Sequence, residues 1–422
     1  MRPFPEDFFL GAATAAHQVE GNNRNSDVWA QEQMPHGAYS EPSGDALDHY
    51  HRYEEDILLL KQAGLNAYRF SIEWARVEPR EGEFDSQETE HYRRVIRFCR
   101  DQGIEPIVTL HHFSSPVWLI QKGGWEADTT PKDFARYASY IAREYGQDLR
   151  YICTINEANM GLEISTVARQ IFNQLVATGK VQVGVNMEDL MRGSPELAEE
   201  NIAAFGTDRP AVFISARSSH GDEIIMQSHA AARAAIRQVA PHIKVGWTLS
   251  LQDVQCAPGG EEKAAAEWEE EFMHYLPVMG EDDFLGVQNY SRTVIGKDGP
   301  LSSPEGAELT QMGYEYYPEG LEHVLRRVAK DFCGDLIVTE NGIATEDDSR
   351  RIAFLGSALA GVSACIADGL PVKGYLYWSL LDNYEWQKGY GMTFGLIAVD
   401  RASQKRMPKD SLMALGQYGK RG

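Results

Sequence analysis

Two glutamates each stand directly after a short apolar run that reads as a β-strand. Glu157 follows Thr154-Ile155-Asn156, and Glu340 follows Ile337-Val338-Thr339 and precedes Asn341-Gly342. Opposed carboxyls are what cleavage of a glycosidic bond needs. One stays ionised to face the developing oxocarbenium ion, and the other holds a proton for the departing oxygen. Mutual repulsion and partial burial drive their pKa values apart, so both forms coexist near neutrality. A lone glutamate past a strand is ordinarily a solvated loop charge; two opposed ones, each beside an asparagine, weigh more. Asn156, next to the candidate acid, is suited to donate to a sugar 2-hydroxyl.

Other residues extend this chemistry. Arg69 lies in Tyr68-Arg69-Phe70-Ser71-Ile72-Glu73-Trp74, and an arginine at that depth requires a carboxylate partner. That partner makes it either a structural ion pair or the group that orients an ionised glutamate. Tyr290, in Gln288-Asn289-Tyr290-Ser291, offers a hydroxyl to the same glutamate, although a core tyrosine is as common. Glu73 reads as a supporting group. Trp378, Glu385 and Trp386 share the run from Tyr377 to Trp386, where indole faces suit sugar C–H surfaces and a carboxylate suits vicinal hydroxyls. In His111-His112-Phe113 one histidine fits a neutral hydrogen-bond donor better than a metal ligand, because no HExxH or spaced His/Cys set accompanies it. GxGxxG, Walker and GxSxG motifs are missing, so no nucleotide cofactor, no metal and no serine nucleophile is expected.

These groups need a scaffold that brings distant strand ends together. Helix-period stripes stop at glycine and give way to apolar strand-like runs: Tyr50 to Leu60 before Gly64, Tyr92 to Cys99 before Gly103, and Phe134 to Tyr145 before Gly146. Thr130-Pro131 reads as the N-cap and first position of the third helix. Eight strands are predicted: 8–13, 66–72, 104–110, 151–155, 243–249, 284–290, 336–339 and 372–378. Alternation with helices argues for α/β architecture, a single (β/α)8 barrel over 1–422. The step from the fourth strand to the fifth is about twice the others, so an insertion is expected there, with 187–208 acidic and weakly patterned. In such a barrel Glu157 and Glu340 would meet at the mouth formed by the strand C-termini.

Composition narrows the partners. The 422 residues are 43% hydrophobic and 24% charged, which suits a large-cored globular protein. Forty basic against 62 acidic residues give a net charge of −22, which repels nucleic acid and anionic membranes. The five cysteines are scattered, without a CxxC pair, as for idle thiols in a reducing compartment. With no signal-like N-terminus or apolar span, the expectation is a cytoplasmic protein acting on small molecules, with a homo-oligomer left open.

Taken together the motifs resemble glycoside hydrolase family 1, the retaining β-glucosidase and β-galactosidase family. The resemblance runs nearly end to end: Phe9 to Thr14, Gln18-Val19-Glu20-Gly21, Arg69 to Trp74, Asn156-Glu157, Thr339 to Gly342, Trp378 to Trp386, and Phe394 to Asp400. It implies Glu340 as nucleophile and Glu157 as acid, then base. It further implies Gln18, His112, Asn156, Glu385 and Trp386 on the sugar hydroxyls, Trp378 as platform, and Arg69 and Tyr290 on the nucleophile. Phe113-Ser114 replaces the family's usual Trp-Asp, and Ala158 replaces the proline after Asn-Glu. Glu385, where 6-phospho-glycosidases carry serine, favours a neutral sugar. The expected substrate is a terminal β-D-glucoside, with β-galactosidase, β-fucosidase or transglycosylating activity as alternatives. The carboxyl groups of a retaining pair should lie ~5 Å apart.

Overall fold

Strands buried on both faces can be apolar throughout, and the sequence marks them that way. The computed structural model describes residues 4–177 and 193–419. Its main sheet holds β1 (Phe9–Ala13), β2 (Ala67–Ser71), β3 (Glu105–His111), β4 (Tyr151–Ile155), β5 (Lys244–Gly246) and β6 (Thr248–Ser250). After the rim strand β7 (Asp253–Cys256) comes β8 (Phe284–Gln288), and after β9 (Arg292–Gly296) and β10 (Gly299–Pro300) come β11 (Asp335–Glu340) and β12 (Val372–Trp378). The neighbours run β5-β4-β3-β2-β1-β12-β11-β8-β6. β5 and β6 are halves of one barrel strand, parted at Trp247. The first half pairs with β4 and the second with β8, both parallel, which completes the ring. Eight staves result, at the eight predicted places. The fold is a (β/α)8 barrel.

Its floor is a layer of inward side chains, with Phe9, Ala67, Ile107, Cys153, Phe284, Ile337 and Leu376 packed together and Tyr151 against them. Side chains on one strand face recur every second residue. Two residues above Ala67, Ile107 and Ile337 therefore come Arg69, Thr109 and Thr339, all fully buried and polar. The apolar floor thus gives way to a hydrogen-bonding layer as the strands rise toward the mouth.

Helices wrap the barrel, among them His49–Ala63, Ser86–Asp101, Thr130–Tyr145, Ser219–Val239, Gly320–Val328 and Asp348–Ala367. Local details correct the sequence reading in three places. The N-cap position of the third predicted helix is Thr129, whose side chain makes no cap bond, rather than Thr130, whose hydroxyl donates to Gly124 O. Gly146 is right-handed, with φ −57°; what requires glycine there is space, since a Cβ would sit 2.3 Å from Ala142 O. Within the stretch expected to be weakly patterned, 187–192 lies outside the described residues, and Pro195–Phe205 is a helix. Ser194 caps it by accepting from Leu197 N, with proline in the first turn.

Asp348–Ala367 is 20 residues long and apolar enough to cross a membrane by length and composition. It packs instead on β12 and on the helices Gly320–Val328 and Asp410–Gly419, burying Phe354, Leu355, Leu359 and Val362. The hairpin β13 (Ile397–Asp400) and β14 (Lys405–Pro408) follows the last barrel strand. All five cysteines are free thiols, three of them buried.

The β1–β2 contact offers a test of the ring. A Cβ on Gly11 would lie 1.9 Å from Ala67 O, so the two strands pair only with glycine at that position. Gly11→Ala should destabilise the protein by about 3 kcal/mol, read from the midpoint of urea unfolding. An unchanged midpoint would contradict the close strand approach.

Candidate active site

The carboxyls that the sequence singles out lie at the mouth, as strand geometry requires. Glu340 is the last residue of β11 and is 3% exposed. Arg69, fully buried on β2, donates from Nη1 to Glu340 Oε1 at 2.6 Å, and the Tyr290 hydroxyl donates to Oε2 at 2.6 Å. Both carboxylate oxygens are thus held, one by a cation. Burial pushes Glu340's pKa up, while the Arg69 charge and the Tyr290 and Arg69 hydrogen bonds pull it back. Burial and the Glu340 charge push Tyr290 well above its usual value, so its hydroxyl keeps the proton it donates.

Glu157 has the opposite environment. It sits just past β4 with φ +43°, a left-handed backbone that a side chain seldom adopts, and it is 6% exposed. Thr248 Oγ1 on β6 holds it there by accepting from Glu157 N at 2.9 Å. Burial, then the charge of Glu340, pushes its carboxyl well above the usual range; Glu163 adds to this and Arg69 opposes it. Of the two acids, Glu157 is pushed toward its protonated form and Glu340 faces the cation.

Asn156 joins the walls of the site. Its Oδ1 accepts from Arg69 Nη2 (2.5 Å), Gln288 Nε2 (2.8 Å) and Thr248 Oγ1 (3.1 Å). Its Nδ2 therefore points the other way and donates to His112 Nε2 at 3.2 Å. Burial, with the Arg69 charge behind it, pushes His112 well below its usual pKa, so the ring is neutral and its proton sits on Nδ1. That Nδ1 is buried and has no hydrogen-bond partner among the described residues.

The His112 ring stacks near-parallel on Trp378 (5.5 Å between centroids) and on Trp386 (6.3 Å). Phe113 tilts against Trp386 and stacks on Phe213, so the Phe113-Ser114 departure leaves an aromatic wall in place. Ser114 donates to Glu73 Oε1 at 3.2 Å, and Glu73 is a buried supporting carboxyl below the wall. On the far side Gln18 Nε2 donates to Tyr384 O at 2.7 Å and to Glu385 Oε2 at 3.4 Å. Burial and the Glu340 charge push Glu385 to about 8, against the Gln18 hydrogen bond. Gln18 Oε1 is a second buried atom without a partner among the described residues.

All ten predicted site residues thus converge. Gln288, Thr248 and Thr109, which bonds Arg69 Nε at 3.0 Å, were not singled out from the sequence. Their only signal was a polar residue inside an apolar strand. A carboxyl group near Glu157, Glu163 with Glu271, also escaped notice. Asn159 Nδ2 bonds both Glu163 Oε1 and Glu271 O, and burial raises both acids. Among the described residues no group of three or more His, Cys, Asp and Glu side chains is placed to hold a metal.

Two unequal buried carboxyls at a barrel mouth, with Trp378 and Trp386 stacked on His112, mark a (β/α)8 enzyme. The pattern of glycosyl hydrolase family 1 matches residues 1–176 and 278–417, and the chain belongs to that family. It is similar to β-glucosidase A of Thermotoga maritima, 28% identical over 97% of this chain and 96% of that protein. It is likewise similar to a β-glucosidase of Agrobacterium sp., 30% identical over 97% and 93%. Among solved structures, β-glycosidase BGL167 superposes with a TM-score of 0.90 at 44% identity, covering 99% of this chain and 97% of that one. The Thermotoga maritima β-glucosidase bound to deoxynojirimycin superposes at 0.81 with 25% identity, covering 100% and 99%.

Repulsion from Glu340 is one cause of the raised Glu157 pKa, so removing that charge has a definite sign. In Glu340→Gln the Glu157 titration should move to lower pH, toward an ordinary glutamate. Carbon-13 NMR of side-chain-labelled glutamate reads the midpoint. A midpoint that stays put or rises would show that the two groups are not electrostatically linked.

Proposed function

We propose that the protein is a retaining β-glucosidase that removes terminal non-reducing β-D-glucosyl residues. The observation that carries this reading is the asymmetry of the two acids: Glu340 is gripped by Arg69 and Tyr290, while Glu157 is buried and, among the described residues, has no cation of its own. Glu340 Oε attacks the anomeric carbon as the bond to the leaving oxygen breaks. Glu157 gives its proton to that oxygen, and a glycosyl ester on Glu340 results. Water then attacks the same carbon. Its proton goes to Glu157, the ester bond breaks, and Glu340 leaves as a carboxylate. Two inversions give net retention.

The remaining residues suit a polyhydroxylated guest. Gln18 Oε1 is an acceptor and His112 Nδ1 a donor, both buried and without a partner among the described residues, and sugar hydroxyls would satisfy both. Glu385 and Trp386 complete the hydroxyl contacts, Trp378 provides a face for the ring, and Asn156 Nδ2 donates to the 2-hydroxyl. A buried carboxyl at 385 offers nothing to a sugar phosphate, which supports a neutral sugar. The β-glucosidase names of the similar proteins support glucose over galactose or fucose.

Turnover of aryl β-glucosides in the presence of a chelator tests the activity itself; no release of the phenol would overturn it. Two variants test the roles. Glu340→Gly should abolish hydrolysis, and azide should restore turnover with an α-glucosyl azide as product; a β-azide would contradict the nucleophile assignment. Glu157→Ala should leave the first step fast only for good leaving groups and slow the second step for every substrate. Equal slowing of the first step for good and poor leaving groups would contradict the acid assignment.

A further inference from the structure

Gln288 closes β8 and is fully buried beside Glu340, its cross-strand partner in the β8–β11 pairing. Across its other edge it pairs with Ser250 of β6. Its amide is used from one end. Nε2 donates to Asn156 Oδ1 at 2.8 Å, and the amide beside Glu340 helps to lower that carboxyl's pKa. The carbonyl Oε1 is buried and has no partner among the described residues. Turning the amide over would set an oxygen against Asn156 Oδ1 and against a carboxylate, so the orientation is dictated by its neighbours.

We propose that Gln288 is a positioning residue that fixes the Asn156 amide for recognition of the sugar 2-hydroxyl while steadying the ionised nucleophile. This inference rests on the β-glucosidase reading. An asparagine amide has two nearly isosteric orientations, and only one presents Nδ2 to the substrate. Three donors from three strands converge on Oδ1: Arg69 from β2, Thr248 from β6 and Gln288 from β8. Arg69 is shared with Glu340 and Thr248 with the Glu157 backbone, so both have other duties. Gln288 donates to Asn156 and stands beside Glu340, its cross-strand partner. A flipped Asn156 would turn an oxygen toward the 2-hydroxyl and lose the donor whose bond strengthens in the transition state.

The test compares an aryl β-glucoside with its 2-deoxy analogue in the parent and in Gln288→Met, which keeps the bulk and removes the amide. The intrinsic reactivity of the 2-deoxy sugar cancels when the two proteins are compared. We expect kcat/KM on the glucoside to fall about 100-fold and on the 2-deoxyglucoside about tenfold less. The parent's preference for the 2-hydroxyl should therefore shrink about tenfold. Gln288→Leu, which has no donor in any protonation state, serves as the second variant if the methionine protein does not fold, and the same loss of preference is expected. Equal losses on both substrates in the folded variant would overturn the inference, because a merely structural residue has no reason to distinguish the two sugars. Unchanged rates would overturn it as well. A parent that turns over neither substrate would instead overturn the β-glucosidase reading, so the two failures are distinguishable.

Discussion

The structure depends on one buried ion pair. Arg69 and Glu340 come from the second and seventh staves, and both are enclosed at the base of the mouth. An unpaired guanidinium or carboxylate at that depth would cost several kcal/mol. Each charge therefore requires the other, and the requirement fixes which side chains may surround them. Tyr290 takes the second carboxylate oxygen, Thr109 and Asn156 take the remaining arginine donors, and Gln288 and Thr248 take up the Asn156 oxygen. The polar layer above the apolar floor is the solvation shell of this pair, built from side chains instead of water.

That shell creates the chemical asymmetry. Two carboxyls that sense each other in a buried site do not ionise together readily. The cation stands on the Glu340 side, so the charge stays there, and Glu157 keeps its proton. The left-handed backbone at Glu157 is held by the Thr248 hydroxyl, which also donates to Asn156, so the placements of Glu157 and Asn156 share one support. Burial holds His112 well below its usual pKa, and repulsion from Arg69 adds to this. Burial, more than any one charge, favours the neutral histidine and the raised Glu157 carboxyl, and the guanidinium favours the charge on Glu340.

The barrel was legible because it is written in local chemistry. Apolar runs such as Phe284 to Val287 and Leu336 to Val338, set between helical stripes, suit doubly covered strands, and all eight appear where predicted. The ten site residues were legible because reactive types sit at strand ends or in motifs with a strong family likeness. Gln288 and Thr248 were not, because a polar residue inside a strand reveals its role only when the strand's phase and neighbours are known. The split of the fifth stave at Trp247 was equally hidden, since its pairing with β4 and then β8 is a property of the closed ring. Helix ends shifted by a residue or more, and Ser194-Pro195 marked a helix start inside a stretch dismissed as weakly patterned. The Glu163–Glu271 pair joins two helices far apart in the chain, so proximity, which composition cannot supply, is its whole signal.

The division of labour between the acids is tested most directly by trapping. Incubation with an activated 2-deoxy-2-fluoro-β-glucoside slows both chemical steps, while a good leaving group keeps the first one accessible, so the glycosyl-enzyme accumulates. Peptide mass spectrometry of the inactivated protein should place one fluoroglucosyl group on Glu340. A label on Glu157, or inactivation without a covalent sugar, would contradict the account.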